Sequence, residues 1–79
     1  MDLKTIKDFA EKYSRDELYK FADELEQKGS VSISTKSDVN EVMSDLLQAA
    51  EVRGLMDDKK LSLQEAVREF SKRVRAAIS

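Results

Sequence analysis

The stretch Asp38 to Met56, DVNEVMSDLLQAAEVRGLM, decides the fold. Val39, Val42, Met43, Leu46, Leu47, Ala49 and Ala50 recur in it at three- and four-residue spacing, the period of an amphipathic helix. On a helical wheel these residues span roughly 160°. A single neighbouring helix covers a stripe nearer ~100°, so this helix should meet two or three partners. Ser37 is placed to cap it, with Asp38 and Glu41 in a first turn where the helix dipole favours negative charge. Near its end Arg53 projects onto the apolar face and Leu55 points to the polar side. Gly54, between them, permits either a close crossing or a kink. Continuation to about Asp58 is expected.

Moving outward, Ser62-Leu63-Gln64-Glu65 is a capping box, with Leu61 and Ala66 placed as its hydrophobic staple. The helix it opens has Leu63, Ala66, Val67, Phe70, Val74, Ala77 and Ile78 within roughly 120°. Glu65 with Arg68, and Glu69 with Lys72 and Arg73, are spaced to pair along that helix. On the N-terminal side, Ser14-Arg15-Asp16-Glu17 is a second capping box, with Tyr13 and Leu18 as its staple. It opens a helix over about Arg15–Lys28 carrying Leu18, Phe21, Ala22 and Leu25, which Gly29 should stop. A first helix, capped by Asp2, runs over about Leu3–Tyr13 on Leu3, Ile6, Phe9, Ala10 and Tyr13.

Residues 30–35, SVSIST, break the pattern. Their period is two, and Val31, Ile33 and Thr35 are β-branched. No second strand-like segment follows. Either this is an extended linker whose Val31 and Ile33 plug the core, or it pairs across an interface between copies. The linker is the expectation.

The fold class is therefore all-α: a compact four-helix domain over residues 1–79. Two short helices lead into a long central one and a final amphipathic one, with the extended linker at 30–35. A chain of 79 residues supports one small core.

Composition narrows the function. There is no His, Cys or Trp, which removes imidazole bases, thiol nucleophiles, the usual zinc sites and haem ligation. Two glycines in the whole chain leave no phosphate-cradling loop. No catalytic residue, metal ligand, cofactor or small-molecule substrate is indicated. Asp57-Asp58-Lys59-Lys60 lacks the alternating oxygen ligands of a calcium loop and reads as a solvated mixed-charge loop. Met43 and Met56 suit an adaptable groove, but ordinary core packing accounts for them.

The net charge of −2 hides an asymmetry. Residues 37–67 carry three basic and seven acidic side chains, a balance of −4, and 68–79 carry four basic and one acidic, a balance of +3. Arg68, Lys72 and Arg75 form a basic stripe with Arg73 on its flank. These four are the candidate partner-binding residues, and Val31, Ile33, Ala49 and Ala50 the candidates for self-association. The N-terminus is too charged for a signal peptide, and no apolar run approaches a membrane span. A cytoplasmic location is expected.

One pattern has a family likeness. Ala50-x-x-x-Gly54-Leu55, then Leu61-Ser62-x-x-x-Ala66-Val67, resembles the turn region of bacterial helix-turn-helix regulators over residues 46–75. There the second helix starts within about four residues of the glycine. Here Met56 to Lys60 intervene, and Gln64 and Glu65 stand where Arg or Asn would read bases. The leading expectation is a non-catalytic helical protein–protein interaction module that forms a homodimer. The alternative is a nucleic-acid-binding regulator using the basic last helix.

Overall fold

The structure, a computed structural model, describes residues 3–31, 33 and 38–78, with the side chain of residue 78 excepted. The expected caps Asp2 and Ser37 lie outside the described residues, as do Ser32, Ser34 and Thr35. Four helices follow in order: α1 (Leu3–Lys12), α2 (Arg15–Lys28), α3 (Val39–Lys59) and α4 (Leu63–Ile78). No strand occurs among the described residues, so the all-α, four-helix expectation holds. No helix among them is long and apolar enough to cross a membrane.

Each helix begins and ends for a local reason. At α2, Ser14 Oγ accepts the Glu17 backbone N–H at 3.2 Å, and Glu17 Oε1 accepts the Ser14 N–H at 3.0 Å. Gly29 closes α2 in the left-handed conformation, φ 75°, donating its N–H to the Leu25 carbonyl. The box at α4 has the same form, with Ser62 and Glu65 exchanging two hydrogen bonds of 3.2 Å. At α3 the cap is Asp38 itself, whose Oδ1 accepts from the backbone N–H groups of Asn40 and Glu41. A carboxylate at this position also meets the positive end of the helix dipole.

The central helix runs unbroken through Gly54 to Lys59 and stops at Lys60, which is left-handed at φ 55°. Asp57, Asp58 and Lys59 are thus the last turn of α3, not a loop. In that turn Asp57 pairs with Arg53 and Asp58 with Arg15.

α3 is the hub. At ~1.5 Å per residue, its 21 residues match the longest dimension of the molecule, 32 Å. It packs against α1, α2 and α4, and α1 also touches α4. α2 and α4 make almost no contact with each other. The three helices wrap α3, and between α2 and α4 part of its surface is left open.

This wrapping corrects the sequence-based face. Val52 and Leu55 lie outside the expected arc, yet both are buried, as are Val42, Leu46, Ala49 and Ala50. Asp45 is buried as well, at 2% exposure. Conversely, Val39 and Leu47 belong to the arc and are exposed. A helix covered on three sides needs apolar residues around most of its circumference, so a single arc understates what it buries. From the other elements Ile6, Leu18, Leu25, Ala66 and Phe70 complete the core.

Arg53 explains its own odd placement. Its Nη1 donates to the Ala10 carbonyl at 3.2 Å, one of the α1 C-terminal carbonyls without an intrahelical donor. Its Nε lies 3.4 Å from Asp57 Oδ1, ion-pair distance but poorly aligned for a hydrogen bond. Tyr13, expected to staple onto Leu18, sets its ring edge-on to Phe9 and Phe21, at 6.2 and 5.1 Å. These contacts brace the joint between α1 and α2.

Candidate docking groove and basic face

The open side of α3 is a groove of about 470 Å³. α2 forms one wall through Arg15 and Tyr19, α4 reaches the other through Arg73, and the floor is α3. Its floor residues are Leu47, Ala50, Gly54 and Leu55, one or two helical turns apart. Leu47 is 47% exposed and Tyr19 48%, the two most exposed large apolar side chains among the described residues.

Two ion pairs frame the groove. Arg15 of α2 reaches Asp58 Oδ2 at 3.4 Å, and Arg73 of α4 reaches Glu51 Oε1 at 3.7 Å. Both are solvent-exposed pairs, worth no more than ~1 kcal/mol each and easily exchanged for other partners. Arg15 lies across Gly54, where a Cβ would meet its Nη1 at 3.1 Å. Gly54 thus serves a side chain crossing the helix, not a helix–helix crossing. Lys59 adds a further cation at the α3 end of the groove.

The four candidate partner-binding residues do not act as one patch. Arg73 sits at the groove and pairs with Glu51 across helices, not with Glu69 of its own helix. Glu69 takes Lys72, at 3.6 Å. Arg68, Lys72 and Arg75 are all exposed on the far face of α4. Glu65 is held first by its capping box, and the Arg68 charge also favours its carboxylate.

The candidate self-association residues have a different fate. Ala49, Ala50 and Val31 are buried within their own chain, and Ile33 packs partly buried against the core. The residues that remain outward, Leu47 and Tyr19, were legible only in part. Leu47 sits at the rim of the central arc, and Tyr19 falls about 100° from Leu18 and so off the α2 stripe.

The capping boxes also act on the charge of their own carboxylates. The Ser62 backbone N–H, then its hydroxyl, hold the Glu65 carboxyl below its ordinary value of 4.5. Ser14 does the same for Glu17. Both stabilise helix starts and neither faces the groove. Among the described residues no three carboxylates converge to hold a metal ion.

A family model matches residues 1–79 in full. The chain belongs to DUF6952, a family of unknown function. No match was found among curated proteins or solved structures. Membership in DUF6952 therefore leaves the groove and the basic face of α4 to be read from their own chemistry.

Proposed function

We propose that this chain is a small, non-catalytic helical interaction module whose recognition face is the groove over α3. The observation that carries this reading is the gap between α2 and α4, which leaves Leu47 and Tyr19 half-exposed side by side. An exposed apolar pair within a polar rim is the usual composition of a protein-docking site. The rim supplies both signs of charge, suited to fixing orientation, while the apolar centre supplies affinity.

A second reading rests on Arg68, Lys72 and Arg75, three exposed cations on one face of α4. Cations so arranged can follow a phosphate backbone, and binding of that kind weakens steeply with salt. Opposing it are the overall charge of −2 and the Glu69 carboxylate already beside Lys72.

Affinity capture from the native cell separates the two. The wild-type chain, a Leu47→Asp variant and an Arg68→Glu/Arg75→Glu variant are compared, alongside binding to random-sequence DNA over a salt series. The module reading expects protein partners that are lost with Leu47→Asp and kept with the α4 variant. Salt-sensitive DNA binding lost only with the α4 variant would overturn it.

A further inference from the structure

The walls of the groove carry charge in a pattern that points to its occupant. The groove lining carries three cations, Arg15, Lys59 and Arg73, against two carboxylates, Glu51 and Asp58. Apart from Arg15, the edge of α2 bearing Tyr19 is acidic. At ~100° per residue, Asp16, Asp23 and Glu26 fall on the same flank of α2 as Tyr19, and all three are exposed. An aromatic knob flanked by carboxylates thus lies beside an apolar floor whose rim holds one cation more than it holds carboxylates, on one surface of one chain.

Under a two-fold axis such a surface is complementary to itself, because residue i of one copy meets residue j of the other and the reverse contact forms at once. The concave floor receives a convex helix edge, so shape as well as charge is matched. Resting on the reading of the groove as the recognition face, we propose that its occupant is a second copy of this chain. The α2 edge of each protomer seats Tyr19 against the partner's Leu47. The acidic flank of α2 then faces the partner's rim, where cations outnumber carboxylates by one. Val31, Ile33 and Ala49 are occupied within the protomer, whereas Ala50 lies on the groove floor.

Gly54 fits this arrangement. It sits in a helix interior, where alanine is the better helix former, and a methyl group there would stand in the groove beneath Arg15. Gly54→Ala is therefore expected to retain or raise thermal stability while weakening association, a split that a purely structural glycine would not produce.

Sedimentation equilibrium on the full chain, from about ten micromolar to about one millimolar, tests the proposal. The mass should rise with concentration from 9.0 kDa towards twice that value. Tyr19→Ala and Leu47→Asp should each weaken the dimer about tenfold or more, with helical circular dichroism unchanged. Asp23→Lys/Glu26→Lys should weaken it too, and adding Arg73→Glu should restore part of the loss. A mass of 9.0 kDa throughout the range would overturn the second copy as occupant. If another protein were still captured through Leu47, the groove reading itself would stand. A dimer that survives Tyr19→Ala and Leu47→Asp but dissociates with Arg68→Glu/Arg75→Glu would also overturn the proposal, placing the contact on the far face of α4.

Discussion

Arg53 and Gly54, adjacent in sequence, put opposite demands on α3. Arg53 is a charge on a packed side of the helix, held there because the C-terminal end of α1 presents the Ala10 carbonyl to it. Replacing Arg53 with Met keeps most of the aliphatic stem but leaves that carbonyl without its donor. Urea unfolding should show a loss of about 1–3 kcal/mol with an unchanged denaturant slope. A loss below about 0.5 kcal/mol would mean that water replaces the guanidinium freely. Gly54 carries the reverse expectation. Alanine gains up to ~1 kcal/mol in helix propensity, while the flexible Arg15 side chain swings aside from its 3.1 Å approach. Arg15 then loses only an exposed ion pair worth at most ~1 kcal/mol. The melting temperature of Gly54→Ala should hold or rise, and a fall of several degrees would show that Arg15 cannot move.

At the scale of elements, starts and stops were written locally and so could be read locally. Both capping boxes form at the residues whose spacing announced them, because an N-cap hydrogen bond joins groups three residues apart and needs no tertiary partner. Ser62→Ala should cost about 1 kcal/mol, with Ser71→Ala in mid-helix as a near-silent control. Equal effects in chemical denaturation would remove the box as the reason α4 begins where it does. Glu65 adds a pH signature. Its carboxyl binds a proton less readily in the folded chain than its ordinary value of 4.5 implies. The stabilisation is therefore complete above that ordinary value and is lost as pH falls through the lower folded one. The stability gap between wild type and Glu65→Gln should accordingly narrow on acidification from neutral pH. A gap that widened would contradict the assignment. The stop of α3 was less legible, since Lys60 occupies a left-handed position that usually falls to glycine. Lys60→Gly should raise stability by about 1 kcal/mol, measured in the same denaturation series.

At the scale of the whole molecule, the hub was legible and the gap was not. The breadth of the apolar arc in residues 38–56 already required several neighbours, and α3 has three. Leu46, fully buried near the middle of that arc, should cost roughly 2–5 kcal/mol when cut to Ala. That is a large share of the ~5–15 kcal/mol a domain possesses, and thermal melting would report it. The arc nevertheless failed at both edges. Val52 and Leu55 are buried because neighbours close around α3 from the sides, and Leu47 is exposed because α2 and α4 stand apart. The distance between two helices that do not touch is written in neither of their stripes, so the groove could not be placed from sequence. For the same reason Ala49 and Ala50 read as apolar surplus when their own chain consumes them.

α3 is closed on the side of Val42 and Val52 and open at Leu47, and the proposed second copy would cover that opening. Methyl NMR with a soluble paramagnetic agent, recorded over a dilution series, tests it most directly. The Val42 and Val52 methyls should stay protected at every concentration. The Leu47 methyls should broaden strongly in dilute solution and become protected as concentration rises. Val52 broadening as much as Leu47 in dilute solution would contradict the wrapped hub, and Leu47 protected at the lowest concentration would contradict the open groove.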